Sequence, residues 1–261
     1  MDPSAHHMKC SLCPEIPSIR INNLDYCNAC FERQILRKTL RCLRGLRPKT
    51  KIMVYFDGTL QSLTIAHAIG RFKNKALHEF VALINYGIRE EFISILNELG
   101  FHKHIILSGC NTNNGIDPLP SGIIDIARES QSHMLIFQVC AEFESVIALR
   151  SICSGQGIDS YSQIYSNANN LITVNALEKT KAKEVVYYAY LNNISYTGIM
   201  HTQCITEIEA VLLRFIKKMD DRNSLSLFNI LNTIRKLVSD NQTAVSKDIP
   251  VYGCNTETAP G

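Results

Sequence analysis

The stretch KIMVYFDGTLQSLTIAHAIGR, from Lys51 to Arg71, predicts a strand, a tight loop and a helix in direct succession. Its first residues form a short apolar and β-branched run, which the triplet Asp57-Gly58-Thr59 ends. From Leu60 onward the apolar residues keep a roughly helical spacing. A helix that begins directly after a strand offers backbone N–H groups to an anion. The carboxylate of Asp57, however, repels the phosphate that such a loop would otherwise hold.

The composition limits the possible classes of protein. With 261 residues, of which 46% are hydrophobic, the chain can bury a core large enough for one α/β domain and smaller attachments. No apolar run approaches the 18 residues of a membrane span, and the N-terminus lacks the basic and then apolar pattern of a signal peptide. We therefore expect a cytoplasmic protein that does not associate with a membrane.

Charge is distributed unevenly along the chain. The first 51 residues carry ten Lys and Arg against four Asp and Glu, whereas the net charge of the whole chain is only +3. The asymmetry predicts a basic N-terminal face suited to a polyanion.

Four of the ten cysteines form two Cys-x-x-Cys pairs separated by thirteen residues. This spacing lets two short turns bring four thiolates to one tetrahedral ion, so it predicts a zinc site rather than a disulfide scaffold. Because all four ligand positions are filled, we expect the zinc to be structural. The alternative is a group of buried cysteines without a metal. The predicted ligands are Cys10, Cys13, Cys27 and Cys30.

The segment from Phe31 to Leu46 predicts an amphipathic helix that follows the cysteines directly. Its arginines recur at intervals of four, four and three residues and form one basic stripe. Such a stripe is either a solvated face or, beside a zinc module, a surface for the phosphate backbone of a nucleic acid. The residues predicted to bind it are Arg33, Arg37, Lys38, Arg41 and Arg44.

Between residues 80 and 176, apolar runs alternate with helical patterns. Strands separated by helices imply right-handed crossovers and a doubly wound parallel sheet, with any ligand site beyond the C-terminal ends of the strands. Three further helices are predicted at 180–191, 206–218 and 224–239. The predicted parts are a zinc-binding module with its basic helix at 1–47, an α/β domain at 48–200, and a C-terminal helical extension with a tail at 201–261.

The loop of the opening stretch resembles the pyrophosphatase loop, SGGxDS, of tRNA-modifying ATP pyrophosphatases. Asp57 takes the position of the first Ser, Gly58 keeps the first Gly, and Thr59 replaces the second. The Asp of that pattern falls on Gln61, and the final Ser is kept as Ser62. The resemblance implies a Rossmann-like PP-loop domain whose nucleotide-binding loop is degenerate.

Over nearly the whole chain, the order of features resembles the cytoplasmic tRNA 2-thiolation protein 2 family, the degenerate partner of the catalytic tRNA thiolase subunit. The cysteine pairs and the basic helix are similar to its opening zinc module, and residues 154–157 and 223–237 are similar to its Gly-Arg-Gly turn and its C-terminal helix. Asn175 and Glu178 stand where its RPLR motif has arginines. The catalytic Gly-His-x-x-Asp-Asp pattern falls on residues 138–143, where the His and a second acid are missing.

The resemblance implies a non-catalytic subunit that binds tRNA and forms a heterodimer with a catalytic thiolase paralogue. Sulfur then comes from a ubiquitin-like carrier, and ATP and Mg²⁺ are used only by the partner. We therefore expect no catalytic residue in this chain. Cys204 lies where the catalytic paralogue has a sulfur-handling cysteine, and its role stays open. The other lone cysteines, Cys42, Cys110, Cys140 and Cys153, are expected to be small buried hydrophobes.

Two other functions fit the same residues. The chain can itself be an active ATP-dependent tRNA sulfurtransferase, or it can be a zinc-containing RNA-binding module outside tRNA modification. The chemistry of the loop separates the first alternative from the non-catalytic subunit. Association with a catalytic paralogue distinguishes the non-catalytic subunit from the second alternative.

Overall fold

The computed structural model describes residues 9–72, 75–88, 90–107, 119–120, 122–155, 161, 171–194 and 205–247. Five parallel strands form the central sheet, in the order β5-β4-β3-β6-β7. The order reverses between β3 and β6, which makes this the topological switch point of the sheet. The strands are β3 (Lys51–Phe56), β4 (Glu79–Ile84), β5 (Lys103–Ile106), β6 (Met134–Phe137) and β7 (Ile172–Asn175).

Strand β3 is central because its side chains are apolar on both faces. Ile52, Val54 and Phe56 face the larger core cluster, and Met53 and Tyr55 face the opposite one. A near-continuous apolar run is what a parallel strand covered on both sides requires. The opening stretch therefore forms the centre of the sheet, as its pattern predicts.

Helices cover both faces of the sheet. The larger cluster is closed by α2 (Leu60–Gly70), α3 (Glu90–Glu98) and the helix that we number α6 (Ala182–Leu191). The opposite cluster includes α4 (Ile123–Glu129). The predicted doubly wound parallel sheet is confirmed.

An antiparallel hairpin precedes the sheet domain and was not predicted. It consists of β1 (Ile19–Ile21) and β2 (Leu24–Tyr26). Asn22 and Asn23 form its two-residue turn with φ values of 48° and 65°. A turn with two positive φ values matches the twist of a hairpin, and asparagine tolerates this conformation better than most residues.

The first helix is shorter than its sequence pattern predicts. Helix α1 spans Asn28–Thr39 and a 3-10 turn follows at Leu40–Leu43. Gly45, with φ of 76°, then turns the chain toward β3. The helix begins three residues before the predicted start at residue 31. The predicted continuation to residue 46 is wrong, because the leucines at 40 and 43 reach the sheet core from a tighter turn.

The C-terminal helices pack together against the helix that follows β6. Helix α5 (Ala141–Cys153) contacts α7 (Glu207–Arg222) and α8 (Ser226–Lys247), and the three form their own apolar cluster. The predicted domain boundaries stay predictions, and the boundary at residue 200 lies outside the described residues. Among the described residues, none of the helices combines the length and apolar character that crossing a bilayer requires.

Candidate metal centre, phosphate loop and basic groove

The four predicted metal ligands converge at one point. The sulfur atoms of Cys10, Cys13, Cys27 and Cys30 all lie within 4.8 Å of one another. Cys13 Sγ lies 3.5 Å from Cys27 Sγ and 3.6 Å from Cys30 Sγ. Cys27 is the N-cap residue of α1 and Cys30 lies in its first turn, so the hairpin and the helix together position the second pair.

These distances fit a single tetrahedral ion. With metal–sulfur bonds of about 2.3 Å, the sulfurs of a tetrahedral zinc site lie about 3.8 Å apart. A four-iron cluster is a cube of alternating iron and sulfide, which would hold its cysteine sulfurs further apart. The arrangement can therefore hold one metal ion, and it leaves no coordination position for water or a substrate.

Hydrogen bonds give the thiols of this group different pKa values. Burial raises the pKa of Cys10, but the backbone N–H groups of Cys27 and Leu12 together lower it to about 6. The hydrogen bond with Cys13, together with burial, raises the pKa of Cys30 to about 12. Several thiolates this close repel one another, so a divalent cation is needed to hold all four sulfurs in the ionised form.

The predicted nucleotide loop lies at the switch point, between the ends of β3 and β6, and the carboxylate of Asp57 is its central acceptor. Oδ1 of Asp57 accepts from the N–H of Thr59 at 3.0 Å and from its hydroxyl at 2.7 Å. It also accepts a hydrogen bond from the Ser62 hydroxyl. Gly58 permits the turn through its φ of 79°. The N–H and hydroxyl of Thr59 and the hydroxyl of Ser62 are therefore directed to the chain's own carboxylate, at a loop whose donors could otherwise face a phosphate.

The residue directly after β6 completes this network. Nε2 of Gln138 donates to the Ser62 hydroxyl at 2.9 Å and lies 3.5 Å from Oδ1 of Asp57. Thr59 is the N-cap residue of α2, and its hydroxyl accepts from the N–H of Ser62. Gln61, the residue at the position of the missing acid, is partly exposed in the first turn of α2. Hydrogen bonds among Asp57, Thr59, Ser62 and Gln138 thus fix the loop around its own carboxylate.

The residue in place of the first RPLR arginine has a structural function. Asn175 is buried, and its Oδ1 accepts from the N–H groups of Val139 and Leu177, each at 3.0 Å. Its Nδ2 donates to the carbonyl of Val139 at 2.8 Å and to Glu144 at 2.9 Å. Asn175 therefore connects the ends of β6 and β7 and presents no positive charge to the crevice.

The acidic residues near this crevice are also engaged within the fold. Both carboxylate oxygens of Glu142 accept from the N–H of Ala182, at 3.1 and 3.0 Å, and so cap α6. Glu178, in place of the second RPLR arginine, pairs with Arg235 of α8 at 3.1 Å. Both carboxylates are therefore engaged by groups of the chain itself.

Most of the predicted basic residues meet in one groove. Arg37 lies on α1, Arg41 in the 3-10 turn, and Arg44 directly after it, so their alignment comes from the bend in the chain and not from one straight helix. Among the described residues that line the groove, none is acidic. The groove has a volume of about 690 Å³ and is lined by Gln34, Arg37, Lys38, Arg41, Arg44 and Lys179.

Sequence reasoning missed Gln34 and Lys179 as members of this groove. Lys179 lies in the turn after β7, more than 130 positions from the basic segment, and no local pattern connects the two. Arg33 is exposed on α1 but does not line the groove. Lys38 lines it and also pairs with the buried carboxylate of Glu184. Contact of these residues with RNA stays a prediction.

The remaining cysteines differ in their surroundings. Cys140 is fully buried, and burial raises the pKa of its thiol well above the usual range. Burial also raises the pKa of Cys42, to about 12. Cys140 matches the expected buried hydrophobe, Cys42 is only partly buried against the larger core cluster, and Cys153 is exposed at the end of α5. Cys110 and Cys204 lie outside the described residues.

The fold is similar to that of known structures. The chain matches the "U34-tRNA thiolase NcsA from Methanococcus maripaludis with its [4Fe-4S] cluster" with a TM-score of 0.74 and 17% identity, over 89% of this chain and 87% of that one. It matches the NH3-dependent NAD synthetase from Campylobacter jejuni with a TM-score of 0.41 and 12% identity, over 82% of this chain and 94% of that one. No protein-family model matches the sequence, and no curated protein matches it. The chain therefore shares the overall fold of this thiolase. In this chain the doubly wound parallel sheet carries an N-terminal four-cysteine module and C-terminal helices.

Proposed function

We propose that the chain is a tRNA-binding, non-catalytic subunit of a cytoplasmic complex that thiolates the wobble uridine of tRNA. The fold shared with a U34-tRNA thiolase supports the reaction class. The resemblance to the tRNA 2-thiolation protein 2 family supports the assignment to the non-catalytic member of the pair. In this proposal a catalytic thiolase paralogue forms the other half of a heterodimer, binds ATP and Mg²⁺, and takes sulfur from a ubiquitin-like carrier.

One observation carries the non-catalytic assignment. The carboxylate of Asp57 accepts hydrogen bonds from Thr59 and Ser62 at the position where the loop would bind a phosphate. Two like charges about 4 Å apart repel by about 4 kcal/mol at an effective dielectric constant of about 20. That energy corresponds to a loss of affinity of roughly a thousandfold. A triphosphate would also have to displace donors that are already satisfied.

The basic groove supports the tRNA-binding part of the proposal. Its cations come from α1, from the 3-10 turn and from the turn after β7, so a polyanion in the groove would contact both the cysteine module and the sheet domain. A structural Zn²⁺ held by the four cysteines would then fix the orientation of α1, on which the groove depends. The zinc supplies no chemistry to the reaction itself.

Single-turnover thiolation with the catalytic partner present tests the proposal. We expect Asp57→Ala and Ser62→Ala in this chain to leave the rate nearly unchanged, whereas the matching serine change in the partner's loop abolishes it. The isolated chain is expected to show no ATP pyrophosphatase activity. If Ser62→Ala stops thiolation while the protein stays folded and paired, the chain is itself a sulfurtransferase. If the chain binds no catalytic paralogue in a pull-down experiment, it is an RNA-binding module with another function.

A further inference from the structure

A pair of stacked tyrosines on α6 lies beside the cysteine module, and one of the two rings is exposed while the other is partly buried. The rings of Tyr187 and Tyr190 are 6.1 Å apart between centroids, with an interplanar angle of 29°. Tyr190 is 74% exposed, although tyrosine usually buries much of its ring. The ring of Tyr190 is therefore exposed to solvent, and the ring of Tyr187 packs against it.

The supporting ring is held in place by α1. The hydroxyl of Tyr187 donates to Oδ1 of Asn28 at 2.8 Å. Phe31 packs edge-on against the same ring at a centroid distance of 5.0 Å. Because Asn28 and Phe31 flank the cysteines at the start of α1, the cysteine module fixes the orientation of the stacked pair.

The charge around the pair favours a polyanion. Lys183, Tyr187 and Tyr190 are spaced by four and three residues and so lie on one side of α6. Lys183 is exposed, and Lys179 before it lines the basic groove, so positive charge continues from the groove toward the rings. Two acids of α6 and α1, Glu184 and Glu32, are engaged in ion pairs with Lys38 and Arg71.

We propose that Tyr190, supported by Tyr187, stacks on an unpaired nucleobase of the RNA whose phosphates lie in the basic groove. This inference rests on the proposed RNA-binding function and adds a second kind of contact to it. Exposed aromatic rings beside a cationic track are the usual means by which proteins hold unstacked bases. The partner recognised at this surface is therefore RNA with unpaired bases and not a continuous duplex.

Two RNA probes test the proposal: a hairpin with an unpaired loop, and a fully paired duplex with the same number of phosphates. Tyr190→Ala and Tyr190→Leu are expected to weaken binding of the hairpin about tenfold and to leave the duplex unchanged. Tyr190→Phe should bind like the unchanged protein, because it keeps the ring. The proposal would be overturned if the leucine variant bound the hairpin as tightly as the unchanged protein does. It would also be overturned if the Tyr190 variants weakened binding of the hairpin and of the duplex equally.

A fluorescence measurement gives an independent readout, since the chain contains no tryptophan. Tyr190→Trp introduces a single indole whose emission should be quenched by the hairpin loop. Phe215→Trp, at a 51% exposed position on α7, is the control and should not respond. Quenching of both indoles alike, or of neither, would contradict stacking at Tyr190.

Failure of the stacking contact is distinguishable from failure of RNA binding. If Arg37→Ala and Arg41→Ala weaken both probes while Tyr190→Ala weakens neither, the groove binds RNA and the stacking proposal is wrong. If the arginine variants weaken neither probe, the proposed RNA-binding function itself fails.

Discussion

Nζ of Lys38 on α1 lies 2.8 and 3.0 Å from the two carboxylate oxygens of Glu184 on α6. Glu184 is buried, and its Oε2 also accepts from the backbone N–H of Lys181 at 3.0 Å. The pair joins α1 of the cysteine module to the sheet domain, although the two residues are 146 positions apart in sequence. Lys38 therefore differs from the arginines of the groove, because its charge is already balanced within the fold.

Replacement of Lys38 should affect stability more than replacement of its neighbour. Lys38→Met leaves the buried carboxylate of Glu184 without its cation, and we expect a loss of about 2 kcal/mol, less than for a fully buried pair because Lys38 is partly exposed. Arg37→Met, at an exposed position, should change stability by less than about 0.5 kcal/mol. Urea unfolding of both variants measures the difference, and equal losses would show that the ion pair contributes nothing.

Metal content tests the cysteine site. The purified protein should contain about one Zn²⁺ per chain, because four thiolates close one tetrahedral site. Cys27→Ser should release the metal and unfold the hairpin and α1, while the sheet domain stays folded. Hydrogen exchange would show this as lost protection confined to the N-terminal residues. Cys153→Ser, at an exposed cysteine far along the chain, should keep both the metal and the protection.

The salt dependence of tRNA binding tests the groove. Each lost phosphate contact should reduce the slope of log K against log salt by about 0.7–0.9. Arg37→Ala combined with Arg41→Ala should therefore flatten the slope by between about 1.4 and 1.8, and Lys179→Ala should produce about half of that change. Arg214→Ala removes an exposed arginine on α7 and serves as the control. If the control and the groove variants have the same slope, the groove is only a solvated face.

The pH dependence of stability should depend on His67. Nδ1 of His67 lies 2.9 Å from the hydroxyl of Tyr188, and burial followed by the charge of Arg71 lowers the pKa of the imidazole below 6.5, while Glu32 opposes the shift. Because the unfolded chain binds this proton at a higher pH than the folded chain does, the contribution of His67 is fully present above its unfolded pKa of about 6.5. It is lost as the pH falls through the lower, folded pKa.

His67→Asn keeps a hydrogen-bonding group near the Nδ1 position and removes the titration. The free energy of unfolding, measured in urea at about pH 7.5 and about pH 5.5, should fall less between these values in the variant than in the unchanged protein. Tyr188 does not titrate in this range, because burial raises its pKa to about 12. If the free energy of unfolding falls equally in both proteins, His67 does not contribute to the loss of stability at low pH.

The sequence by itself determined the features that depend on local pattern. The apolar run at Lys51–Phe56 specified a buried parallel strand, and the residues after it specified the loop and helix α2, because strand burial and helix periodicity are expressed within a few residues. The spacing of the cysteine pairs likewise specified the four-sulfur group. The hairpin between the pairs was missed, although Asn22-Asn23 was a usable turn signal, because its strands have only three residues each.

Only the tertiary structure decided which charges are free and which are engaged. Asp57 and Ser62 are close in sequence, but Gln138 joins them only because β6 lies beside β3. Lys179 enters the basic groove, and Glu184 engages Lys38, from segments far along the chain. A charge pattern in sequence records which side chains share a helix face. It does not record which distant carboxylate, amide or ring packs against that face, and that packing decides whether a cation remains available to a partner.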